Sequence, residues 1–102
     1  MLTVIETQEF QQQAARVWTE TQRNSFIDWI ARNPLAGDVI SGSDGARKVR
    51  WAASGRGKRG GARVVYFHLS SQGAVLLIAV YVKSEHESLP ANQIIKVRKN
   101  EH

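Results

Sequence analysis

The chain has 102 residues, of which 42% are hydrophobic and three are Trp; its formal net charge is +5 and its pI about 10.1. This reads as one folded domain over residues 1–102 with a single modest core, not as a disordered basic tail. Cys is absent, which excludes a disulfide framework and any thiolate metal site. The apolar run at Met1–Ile5 is too short for a signal peptide, and no segment approaches the roughly 20 apolar residues of a membrane span. The expectation is a cytoplasmic protein with no membrane partner.

In chain order, Leu2 to Ile5 is a short β-branched run that predicts a strand. Thr7 follows as a helix cap, and Phe10, Ala14, Val17 and Trp18 recur at the spacing of one helical face. Thr19-Glu20-Thr21-Gln22 has the form of a capping box. It opens a second helix whose stripe is Phe26, Trp29 and Ile30. Asn33-Pro34 closes that helix, because the residue before proline avoids the α region. Gly37, Gly42 and Gly45 make a turn-rich connection. From Arg47 to Trp51 the chain alternates, with Lys48 and Arg50 on one face of a strand and Val49 and Trp51 on the other. Ala62 to Leu69 is a second strand, Ser70 to Gly73 a turn, and Ala74 to Val82 an almost wholly apolar central strand. Ser88-Leu89-Pro90 marks a helix start, and Asn92 to Lys99 is a short basic terminal helix. The fold class is α+β: an N-terminal strand and two-helix hairpin packed on an antiparallel β-meander, with a short C-terminal helix. With the helices on one face of the sheet, the other face is expected to be open, and Lys48 and Arg50 to point towards it.

Charge is distributed unevenly. The first 44 residues carry six acids against three Arg, whereas Gly45 to Ser84 holds eight Lys and Arg and no Asp or Glu. Arg47, Lys48, Arg50, Arg56, Lys58, Arg59 and Arg63 are crowded into the start of that window, interleaved with glycine from Ser54 to Gly61. Such a stretch attracts polyanions, and phosphate is its natural partner chemistry. A solvated hairpin loop and a solubilising strand face are the plain structural alternatives. The glycine-basic loop is not a Walker loop, since Gly57-Lys58 is followed by Arg59. His68, His86 and His102 are scattered, so no metal site or cofactor is expected.

Cationic chemistry on a phosphodiester remains. RNA carries its own nucleophile, the 2′-hydroxyl, which has only to be aligned, deprotonated and matched with positive charge on the developing oxyanions. Arginines supply permanent, bidentate charge. A lysine set among like charges is disfavoured as an ammonium and can serve as a base, which points to Lys48. His86 is the rival base. Tyr66 and Tyr81 are either core residues or platforms for stacked bases.

Taken together, Gly37-Asp38-Val39-Ile40, Gly42, Arg47-Lys48-Val49-Arg50 and the run from Gly55 to Tyr66 resemble the RelE/HigB toxins of bacterial type II toxin–antitoxin modules. Tyr81-Val82-Lys83-Ser84-Glu85 and Leu89-x-Ala91-Asn92-Gln93 fit the HigB-like branch. The resemblance covers residues 37 to 93 and implies a RelE-like fold with a concave basic sheet face. It implies a ribosome-dependent mRNA endoribonuclease that inhibits translation, acting in the ribosomal A site without metal by 2′-hydroxyl attack, and restrained by a cognate antitoxin protein. In the RelE branch two lysines on one strand act with an arginine on the next. Lys48 matches the first lysine, Arg50 stands in place of the second, and Arg63 matches the arginine. These three are the expected catalytic residues; Arg47, Arg56, Lys58, Arg59 and Lys83 are the expected RNA contacts. Two places depart from the pattern: Ser84 stands where that branch has a further arginine, and about Pro90 where it has a tyrosine. A non-catalytic RNA- or ribosome-binding module and a degenerate toxin are the alternatives. A gyrase-poisoning relative is disfavoured by Lys48, Arg50 and Arg63. Alternation also raises a conflict, because Val65 and Phe67 share the side of Arg63.

Overall fold

The structure is a computed structural model and describes residues 2–52, 61–82 and 90–100. Strand β1 (Thr3–Glu6) leads into helices α1 (Gln8–Val17) and α2 (Glu20–Arg32), followed by strands β2 (Asp38–Val39), β3 (Arg47–Trp51), β4 (Ala62–Leu69) and β5 (Ala74–Val82), and by helix α3 (Ala91–Asn100). The starts of α1 and α2 come from threonine side chains. Thr7 Oγ1 accepts the Phe10 N–H at 3.1 Å. At Thr19 the capping box is reciprocal: the hydroxyl accepts from Gln22 N at 3.2 Å, and Gln22 Oε1 accepts from Thr19 N at 2.9 Å. Each such cap is worth about 1 kcal/mol. Asn33 ends α2, its side-chain amide donating to Trp29 O at 2.9 Å.

The strands form a five-stranded sheet in the order β1-β5-β4-β3-β2. The meander of β3, β4 and β5 is antiparallel as expected. Two features go beyond it. β1 joins the edge of β5 in parallel, from Thr3 opposite Ala74 to Glu6 opposite Leu77. The glycine-rich connection contains β2, a two-residue strand paired with Arg47 and Lys48. The sheet is therefore mixed.

Its helix-covered face packs Val64, Tyr66, Val75, Leu77 and Val80 against Phe10, Ala14, Phe26 and Ile30. Trp51 closes this core, with its ring centroid 5.5 Å from Trp18 and 5.4 Å from Phe26. Edge-to-face aromatic pairs add roughly 0.5–1.5 kcal/mol beyond area burial. They hold the end of β3 to the helical hairpin, and so turn Lys48 and Arg50 away from it.

The second face is not open, contrary to the simplest reading of the sequence. Val65, Phe67, Leu76, Ile78, Ala79 and Tyr81 form a second core with Ile94 and Val97 of α3. A ten-residue helix is marginal alone. Burying Ile94 and Val97 contributes about 1.5–3 kcal/mol each, and the guanidinium of Arg98 lies 4.5 Å from the Phe67 ring centroid. This settles the conflict over Arg63: Val65 and Phe67 do share its side, and α3 is what covers them.

Tyr66 fastens the β2 edge to the rest of the sheet. Its buried hydroxyl donates to Pro34 O at 2.8 Å and accepts from Gly37 N at 3.0 Å. A Cβ on Gly37 would lie 2.8 Å from Lys48 O and 3.1 Å from that hydroxyl, so only glycine allows the approach. Tyr66→Phe leaves both backbone groups without this partner, and is expected to cost about 1–3 kcal/mol in urea unfolding. Burial raises the Tyr66 pKa above its ordinary 10.0, outweighing the opposing hydrogen bond from Gly37 and charge of Arg47. The folded protein thus keeps a proton that the unfolded chain releases, and this share of stability falls as pH rises beyond about 10. The Phe variant should lack that share of the alkaline loss.

Candidate functional site

The second face carries the chemistry at its β3 end. Arg50 lies directly opposite Arg63 across β3 and β4, and Lys48 opposite Val65. Arg63 in turn lies opposite Tyr81 across β4 and β5. Arg50, Arg63 and Tyr81 therefore form one row across three strands, with Lys48 one strand repeat away on the same face. Lys48 and Arg63 are half-buried and Arg50 is exposed. Like charges directly opposite in a sheet are destabilising. The Arg50–Arg63 pair is thus a charge concentration that folding alone does not ask for. Among the described residues neither Lys48 nor Arg63 makes an ion pair; the salt bridges run from Arg23 to Glu6 and from Arg32 to Asp28, both away from this face.

Glycine makes room for Arg50. A Cβ at Gly61 would meet Arg50 Cγ at 3.0 Å, so the stem of Arg50 rests over the Gly61 backbone. Lys48, Arg50 and Arg63 are thus brought together as their alternation predicts. Arg47 is not with them. It faces the helix side, where its Nη1 donates to Gly37 O at 2.7 Å and helps fasten the β2 edge. Arg56, Lys58, Arg59, Lys83 and the rival base His86 lie outside the described residues. His68 is half-buried on β4, and alternation sets it on the side of Tyr66, away from the basic row.

Two residues join this face that charge and spacing did not single out for it. Arg98 reaches it from α3 over Phe67, and Tyr81 completes the row beside Arg63. Tyr81 is 4% exposed. Burial raises its pKa above the ordinary 10.0, and the charge of Arg63 partly opposes that. The phenol stays neutral through the physiological range. The tool available here is fixed positive charge on a rigid sheet, suited to gripping a phosphodiester and stabilising charge that develops on it. Among the described residues no three His, Cys, Asp or Glu come together as a metal-binding group, and no helix is long and apolar enough to cross a membrane.

Opposite faces for Arg47 and Lys48 give a direct test. Affinity for a single-stranded polyphosphate, followed across a salt titration, should lose about 0.7 from its log–log slope in each of Lys48→Ala and Arg63→Ala. Arg47→Ala should leave the slope unchanged and instead lower unfolding stability by about 1.5–3 kcal/mol, the worth of a hydrogen bond from a charged group.

No family model matches the chain. Among solved structures, the chain is similar to an arginine-to-alanine double mutant of the E. coli toxin RelE in the free state. The match has a TM-score of 0.61 at 17% sequence identity, and covers 95% of this chain and 96% of that one. The three helices and five-stranded mixed sheet described here are a RelE-like fold.

Proposed function

We propose that this chain, as one domain, is the toxin of a type II toxin–antitoxin module, of the HigB-like branch, and that it cleaves messenger RNA engaged in the ribosomal A site. The observation that carries the reading is the clustering of Lys48, Arg50 and Arg63 on one sheet face of a RelE-like fold. In the reaction the 2′-oxygen attacks the adjacent phosphorus and the bond to the 5′-oxygen breaks. A 2′,3′-cyclic phosphate and a 5′-hydroxyl result. Lys48 would accept the 2′-hydroxyl proton or, as an ammonium, neutralise the pentacovalent phosphorus. Arg50 and Arg63 would hold the non-bridging oxygens, the part of the transition state where charge accumulates. The chemistry is metal-independent in this reading because guanidinium groups supply the charge that a metal would.

Arg56, Lys58, Arg59 and Lys83 would grip flanking messenger or ribosomal RNA. A cognate antitoxin would silence the protein by covering the basic face. The site of action is the cytoplasm, where translating ribosomes are.

Primer extension on a messenger in a purified translation reaction tests this. The wild type should cut at discrete, codon-spaced sites. Lys48→Ala and Arg63→Ala should each slow cleavage by about 100-fold or more, the usual effect of removing a transition-state charge stabiliser. An intact messenger despite ribosome binding would favour a non-catalytic RNA-binding module or a degenerate toxin, as the departures at Ser84 and Pro90 allow.

A further inference from the structure

Arg98 joins the second face from outside the sheet. Helix α3 docks there through Ile94 and Val97, and Arg98 follows Ile94 by one helical turn, on the same side. The opposite flank of α3, with Gln93 and Lys96, borders a cleft shared with Glu9 of α1. Arg98 leans the other way, over β4, where its guanidinium carbon lies 4.5 Å from the Phe67 ring centroid. It is half-buried there. A cation–π contact holds a guanidinium through its charge, and the group has five N–H donors to offer to an acceptor. Among the described residues those donors meet no carboxylate, since the salt bridges run from Arg23 to Glu6 and from Arg32 to Asp28.

Register relates this guanidinium to the basic row. Arg63, Val65 and Phe67 succeed one another on this face of β4, with Arg63 opposite Arg50 and Val65 opposite Lys48. Phe67 is therefore the diagonal neighbour of Lys48, a separation of about 7–8 Å. Along the strands positive charge falls at three successive levels: Arg50 with Arg63, then Lys48, then Arg98 over Phe67. Each level is one strand repeat from the next, about 6.6–6.8 Å. That is close to the stride of an extended single-stranded backbone, and a line of cations is what tracks such a backbone.

We propose that Arg98 is a phosphate-binding residue: it grips the phosphate next to the one held by Lys48, Arg50 and Arg63, so that a single strand crosses the sheet along β3 and β4. The proposal rests on the nuclease reading for calling the central phosphate scissile, whereas the contact itself needs no cleavage. Arginine suits the task, being permanently charged, weakly hydrated and bidentate towards phosphate. Phe67 is its positioning residue, because the ring restrains the end of a long stem. Docking of α3 is served by Ile94 and Val97, and a charge adds little to that burial.

A single-stranded oligodeoxynucleotide lacks the 2′-hydroxyl and reports binding without cleavage. Its affinity for the full chain is followed across a salt titration for wild type, Arg98→Met, Arg98→Lys and Lys96→Met, with thermal melting measured beside it. Methionine keeps an unbranched apolar side chain over Phe67 and removes the charge. Arg98→Met should lose about 0.7 from the log–log slope and bind about 10-fold more weakly at low salt. Arg98→Lys should regain the slope at the melting temperature of Arg98→Met, which separates charge from helix docking. Lys96→Met, on the far flank of α3, should keep the wild-type slope. In messenger cleavage Arg98→Met should raise the half-saturating concentration and change the maximal rate less than about threefold, as loss of uniform binding does. An unchanged slope in Arg98→Met, an equal loss in Lys96→Met, or no recovery in Arg98→Lys would overturn the proposal. If the wild type leaves the messenger intact, the nuclease reading fails, while the slopes on the oligonucleotide still decide the contact.

Discussion

One inserted residue decides which side of the sheet the end of β5 presents. Up to Leu77 the strand alternates with Val75 and Leu77 towards the helical hairpin; past the bulge at Ile78, Val80 faces the hairpin and Tyr81 the opposite side. A strand has a period of two, so one extra residue exchanges every later side chain between faces. The exchange turns Val80 to the helical core and Tyr81 to the second. It is also held where β5 loses β1 as a neighbour, by Thr7 and Gln13 from the chain just beyond β1. Thr7 therefore acts in two places, capping α1 with its acceptor and tying the bulge with its hydroxyl proton. The start of the helical hairpin and the register of the basic face are in this way one structural unit.

The division of labour between the faces explains how the sheet tolerates concentrated positive charge. Trp51 and Val49 are drawn to the helical side by the aromatic cluster, and Lys48 and Arg50, which alternate with them, must then face the other way. Stabilisation of several aromatic and aliphatic contacts, each near 1 kcal/mol or more, outweighs repulsion between exposed or half-buried cations, which solvent screens. Over the remaining area α3 covers the apolar residues of β4 and β5, and leaves the β3 end to the basic residues. Arg98 over Phe67 marks the border between the two regions.

Much of this was legible in the sequence, and the failures are informative. The limits of β3, β4 and β5 follow from alternation and from the turn at Ser70 to Gly73, and both threonine caps follow from local chemistry. So does the placement of Lys48, Arg50 and Arg63 on one face. Charge alone makes Arg47 an expected RNA contact, although alternation sets it on the opposite face; the carbonyl of Gly37 accounts for its place. The parallel docking of β1 and the pairing of β2 depend on distant partners and leave no local signature. The second core was hidden for a related reason. Val65 and Phe67 announced an apolar patch beside Arg63, but only the docking of Ile94 and Val97 shows what covers it. The bulge was the least accessible feature, because a strand with no polar residue from Ala74 to Val80 offers no contrast from which a change of phase can be read.

A sheet fixes Cα positions far better than it fixes the ends of long cationic side chains. For a site built from lysine and arginine, preorganisation must therefore come from what touches the stems and heads. Gly61 supplies a flat seat for the stem of Arg50, and Tyr81 supplies a rigid neighbour for Arg63. Charge that has to be gathered and turned during a reaction stabilises a transition state less than charge already in place. Among the described residues no carboxylate pairs with Lys48 or Arg63, so around these two cations backbone contact and neutral packing have to take over that task. The glycine before β4 and the tyrosine after the bulge are the residues on this face suited to it.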